Sequence, residues 1–177
     1  TFVEAIETAE QAADAEQFGK AVAALQAAIR DLQIKQRVAI LAALPKPEGW
    51  SVHDTPLDPI GEAANPAMHA MGLTVQRRYE KGEAAITVEV TANSPLVPML
   101  AVVFANPAML TADGAELVKY GTHKASLKKV GDDGQELQLL MHEAHLIRVD
   151  ANGIGADDLL KIFDQAFVDA LEKPLGK

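Results

Sequence analysis

Apolar positions in the first quarter of the chain recur at helical spacing. Phe18, Val22, Leu25, Ile29 and Leu32 follow one another at intervals of 4, 3, 4 and 3, which lays them along one stripe of an α-helix. Val38, Leu41 and Leu44 continue the stripe less regularly, and Phe2, Ile6, Ala9 and Ala13 make a weaker one upstream. Residues 1–44 hold no proline and a single glycine, and good helix formers dominate. A bend near Asp14–Gln17 would let the two stripes bury each other, so the segment is predicted to be a helical hairpin. Pro45-Lys-Pro-Glu-Gly-Trp50 ends it, because two prolines and a glycine cannot continue a helix.

Residues 45–72 lack a period and are read as a Pro-rich linker and loop, with a short strand near Trp50–His53 and Trp50 anchoring the linker on the core. From residue 73 the period becomes two. Leu73, Val75, Arg77 and Tyr79 alternate with polar neighbours, Glu80–Glu83 reads as a turn, and Ala85–Val90 as the second arm of a hairpin. Ser94-Pro95 then opens a helix whose residues, Leu96 to Phe104, are apolar almost all round. Glu116–Tyr120, Thr122–Val130, Glu136–Met141 and His145–Val149 are further strands, with Gly131-Asp-Asp-Gly134 a turn between two of them. Asp157–Leu171 is predicted as one amphipathic helix. The expectation is an α+β protein: an α-hairpin (1–44), a linker (45–72), and a domain (73–177) with an antiparallel sheet of five to six strands packed against two helices.

Composition removes several function classes. The 177 residues carry 16 Lys and Arg against 25 Asp and Glu, a net charge of −9, and no basic run, which argues against nucleic-acid binding. Without cysteine there is no thiolate catalysis, disulfide scaffold or Cys-ligated zinc. No stretch reaches the roughly 20 apolar residues of a membrane span. A first residue other than methionine is read as the trace of a removed segment, a signal peptide or a tag.

Candidate chemistry is sparse. In Met141-His142-Glu143-Ala144-His145 the two histidines would point to opposite faces of a continuous strand. A two-residue turn at Glu143-Ala144 would make them cross-strand neighbours able to share a copper or zinc ion. Surface histidines are the plainer alternative. Met68-His69-Ala-Met71 could add thioether and imidazole donors suited to copper, so Met68, His69, His142 and His145 form one candidate soft-metal set. Asp150–Asp157 lacks the fifth and twelfth ligands of a calcium loop. No nucleophile-elbow, phosphate-loop or dinucleotide motif occurs, and nothing argues for an enzyme; His53, His123 and Tyr79 are the first places to look for one. The apolar helix is either sandwiched inside the protein or partly exposed. In the second case Leu96, Met99, Val103 and Phe104 form a contact surface for a protein or lipid partner.

Two resemblances add to this reading. Phe18, Ala21, Leu25 and Ala28 resemble the second helix of a tetratricopeptide pair, over one repeat and no more. Leu44-Pro-Lys-Pro-Glu-Gly-Trp50, the Tyr79–Val90 hairpin and Tyr120-Gly-Thr-His-Lys-Ala125 resemble small exported bacterial domains of the PsbP or Mog1 type, and the whole chain resembles exported Gram-negative proteins with no assigned activity. The resemblance implies an α+β fold and a periplasmic or secreted location, with the cytoplasm as the alternative. Together these readings predict a non-enzymatic interaction module of the bacterial envelope, able to form a homo-oligomer, with a copper- or zinc-binding protein and an enzyme of unrecognised type as alternatives.

Overall fold

The computed structural model describes residues 1–56, 72–106, 108, 111 and 114–176. They divide into two compact units, Thr1–Ala39 and Ile40–Lys177.

The first unit holds α1 (Phe2–Asp14) and most of α2 (Phe18–Ala43). Thr1 caps α1 by accepting from the Glu4 amide, with the Glu4 side chain reaching back, which satisfies two end donors. The break comes where the sequence places it. Glu16 takes a left-handed conformation (φ 57°), and the Gln17 amide bonds back to the Ala12 carbonyl at 2.7 Å. The buried apolar side chains of this unit are small: Ala9, Ala12, Ala21 and Ala28.

The second unit is built on an antiparallel sheet of seven strands, one or two more than the sequence reading expects. They are β1 (Ser51–Asp54), β2 (Leu73–Lys81), β3 (Ala84–Ala92), β4 (Ala115–Tyr120), β5 (His123–Val130), β6 (Gly134–Met141) and β7 (His145–Asn152), in the spatial order β1-β2-β3-β7-β6-β5-β4. β1 is the short linker strand, paired on the sheet edge against Arg77–Glu80. Hairpins make most of the sheet. At the Gly131–Asp133 turn, Gly134 has to be glycine, because a Cβ there would lie 2.3 Å from the Val130 carbonyl oxygen.

Alternation along each strand produces one buried face. Val75, Val90, Ile147, Leu139 and Ala125 form a cross-strand row, and Arg77, Val88, Val149, Leu137 and Leu127 the next. Leu159, Phe163, Phe167, Val168 and Leu171 pack into the same core, as do Ile40 and Leu44 at the end of α2, and Trp50 lies against it. Arg77, the one charge in these rows, donates to both oxygens of Asp54 (2.6 and 3.0 Å) and to the Leu44 carbonyl (3.2 Å). It thereby caps the end of α2 and pins β1, which is how a buried guanidinium is tolerated. The opposite face is largely polar, with Arg148 bridging Glu136 and Asp150. At one end of it, Val97 and Phe104 of α3 (Val97–Ala105) cover Leu140.

The predicted C-terminal helix is two helices, α4 (Ala156–Ile162) and α5 (Gln165–Glu172). Phe163 leaves helical geometry (φ −107°, ψ 65°), and its freed carbonyl accepts the Tyr120 hydroxyl at 2.7 Å. Asp164 then starts the second helix by accepting the Phe167 amide at 3.1 Å. The break turns Phe163 fully into the core while keeping both helices over the sheet.

Candidate functional site

Two hairpin ends and the last residue of α5 meet at one end of the core face. The β4–β5 hairpin turns through Gly121-Thr122, with Gly121 left-handed (φ 57°) and Tyr120 opposite His123. The register pairing Lys124 with Leu140 sets His123 beside Met141, and Met141 is itself opposite His145. His123, Met141 and His145 therefore share a row on the buried face, and the helices above bring in Glu172.

The β6–β7 turn decides what these residues do. The Ala144 amide bonds to the Met141 carbonyl at 3.2 Å around His142 and Glu143, both with positive φ (52° and 55°). The connection holds three residues, His142 to Ala144, where the sequence suggests a two-residue Glu143-Ala144 turn, and both φ values at its start are those of a type I′ turn. His142 therefore lies in the turn, and Met141 rather than His142 is the cross-strand partner of His145. Asn-Gly is the favoured pair for such a turn, and each non-glycine residue held left-handed costs about 1–2 kcal/mol. Strain of this kind is often retained where it aims a side chain.

His142 is aimed at Glu172. His142 Nε2 lies 2.9 Å from Glu172 Oε2, and His123 Nε2 lies 2.6 Å from Oε1 of the same carboxylate. The three ligand atoms all lie within 4.8 Å of one another. The rings of His123 and His142 meet edge to face with centroids 5.2 Å apart. His123 and Glu172 are mostly covered (11 and 17% of the side chain exposed), and His142 is the most open at 30%.

His145 stands apart from this group. Its ring is 6.2 Å from that of His142, centroid to centroid, and buried, and its Nδ1 accepts the Asn93 amide at 3.2 Å. Burial, with the neighbouring His142 as a smaller cause, pushes its pKa below the usual histidine value, while a backbone hydrogen bond with Leu175 opposes the shift. The geometry thus couples His142 to His123 and Glu172. Met68 and His69 lie outside the described residues. The sequence offers no signal for Glu172, which is 49 residues from His123 and 30 from His142 and reads as a solvated charge at a helix end.

The other positions resolve more simply. His53 is exposed, 3.9 Å from Glu80. Tyr79 donates to the Pro45 carbonyl at 2.9 Å, and burial pushes its phenol up to about 12, so it serves packing. On α3, Phe104 is buried and anchors the helix rather than offering a contact. Leu96, just before α3, and Met99 and Val102 on it are exposed, Met99 at 71%, so among the described side chains the helix is covered at Val97 and Phe104 and open at Met99 and Val102. The side chain of Val103 lies outside the described residues.

Among the described residues, most of the exposed large apolar side chains are on the first unit. Phe18, Val22, Leu25, Ile29 and Leu32 are each 44–67% exposed, and Val3, Ile6, Ile34 and Val38 are exposed as well. The stripe read from the sequence is a real helix face, but it is turned to solvent and not buried against the upstream stripe as expected; alanines pack in the hairpin instead. The chain matches no protein-family model, no curated protein and no solved structure.

Proposed function

We propose that the protein is a non-enzymatic interaction module whose helix α2 pairs with a second copy of the chain. The observation that carries this reading is the solvent exposure of Phe18, Val22, Leu25, Ile29 and Leu32. Isolated exposed apolar residues are ordinary, but an unbroken stripe of large ones on one helix face marks a contact surface.

The residue types favour a second copy as the occupant. With Val22 and Ile29 at the a positions of a heptad, Leu25 and Leu32 fall at d, and Phe18 at the preceding d. Branched residues at a with leucine at d favour two parallel strands. The positions flanking this seam are Ala21, Gln26, Ala28 and Gln33. A chain of net charge −9 therefore brings no acidic residue to the seam, and two copies do not repel there.

The expected strength follows from the burial. Full burial of such a side chain contributes about 1.5–3 kcal/mol, and these are already half covered, so ten of them across a dimer supply about 10 kcal/mol. Association costs about 4–15 kcal/mol. The dimer is therefore expected to be reversible and concentration-dependent. The resemblance to exported bacterial proteins supports the cell envelope as its place of work.

Sedimentation equilibrium over a wide concentration range tests the pairing. The wild-type chain should shift from monomer to dimer, and the Leu25→Glu, Ile29→Glu variant should remain monomeric with an unchanged far-ultraviolet spectrum. A wild-type chain that stays monomeric throughout, or a variant that still dimerises, overturns the reading.

A further inference from the structure

We propose that His123, His142 and Glu172 bind one divalent transition-metal ion of the zinc class. This site is made by different elements from the α2 stripe and stands whether or not the chain dimerises.

Two imidazole nitrogens and a carboxylate are the donor set that borderline divalent ions take, and three protein ligands leave a fourth position for water or a small external donor. In a tetrahedral site with ligands about 2.0–2.2 Å from the ion, donor atoms lie about 3.3–3.6 Å apart. Here all three lie within 4.8 Å of one another, with the histidine–carboxylate separations at 2.6 and 2.9 Å. Small side-chain rotations would open the group to admit an ion, which would replace the two hydrogen bonds that now join the imidazoles to Glu172. The greater exposure of His142 leaves the open position on the solvent side.

A second observation is independent of the distances. The turn that delivers His142 holds two consecutive non-glycine residues in left-handed geometry, and Asn-Gly would form the same hairpin without that strain. His142 occupies the first of these two positions, and its ring reaches Glu172 on α5. The ligands come from a β5 start, a β6–β7 turn and the end of α5, so a bound ion would tie the C-terminal helix to two hairpins and raise the melting temperature.

The test is calorimetric titration of the chelator-stripped full chain with zinc(II), with cobalt(II) as the spectroscopic probe. One ion per chain, visible cobalt bands of a four-coordinate site and a higher melting temperature with zinc are expected. His142→Ala, which removes the most exposed ligand, should weaken binding by more than about a hundredfold, beyond what loss of an outer-shell partner costs. Glu172→Gln keeps the shape of the side chain and should do likewise, so the test does not hang on one variant folding. His145→Gln, and Met68→Leu with His69→Gln, should bind as the wild type does. Absence of binding to the wild type, binding that survives both ligand variants, or binding lost on changing Met68 and His69 overturns the assignment.

Discussion

Among the described residues, most large apolar side chains of residues 40–177 face inward, Leu96, Met99 and Val102 being exceptions, whereas in residues 1–39 most of them face solvent and alanines are buried. Both segments have strong periodicity. The strands of the sheet find covering partners in the same chain, namely α4, α5 and the end of α2. The α2 stripe has none among the described residues of its unit, where Ala9, Ala12, Ala21 and Ala28 make the buried set. Periodicity thus marks a face that wants covering without saying which molecule covers it.

Truncations should separate the two regions most sharply. Phe163→Ala removes a ring packed edge to face against Tyr79 and Phe167 in a fully buried position, and should cost about 3–5 kcal/mol in urea unfolding. Leu25→Ala should leave the unfolding of a dilute sample within about 0.5 kcal/mol and instead weaken self-association. Equal losses of stability at the two sites would erase the contrast.

A smaller effect should appear with pH at the edge between core and site. Burial lowers the pKa of His145 from the usual histidine value of 6.5, so between the two values the folded chain holds fewer protons than the unfolded one. Stability therefore rises with pH across that window and is lost as pH falls from 6.5 toward the depressed value. His145→Gln cannot titrate and should flatten this part of the melting-temperature profile. A variant that tracks the wild type through the window would show that His145 is not the source.

The smallest effect concerns the strained turn. Glu143→Gly should stabilise the fold by about 1 kcal/mol, because glycine occupies the left-handed second position of a type I′ turn at little cost. Zinc affinity should be unchanged, since Glu143 is not a ligand. Loss of stability on this change would mean that the Glu143 side chain holds the turn.

The hairpin break at residues 15–17, the Gly131–Asp133 turn, the edge strand near Trp50 and the alternation in β2 and β3 were all legible in the sequence, because each depends on neighbours in the chain. The split of the C-terminal helix was not, since Phe163 leaves the helix only when Tyr120, 43 residues away, takes its carbonyl. The candidate site was legible in part. His142 stood out beside His145, but a three-residue turn in place of a two-residue one exchanged that pairing for His123 and Glu172. One added residue in a turn alters which side chains lie opposite one another, and a His-Glu pair gives no local signal for left-handed geometry.

The sequence by itself determined the α+β class, the antiparallel order of hairpins and the faces of the helices, all consequences of local periodicity and turn chemistry. Only the tertiary structure decided that α2 keeps its stripe in solvent and that His123, His142 and Glu172 converge. The second outcome depends on side chains 30–49 residues apart meeting across packed elements, and the first on which faces find a cover within the chain; neither is written in spacing along the chain.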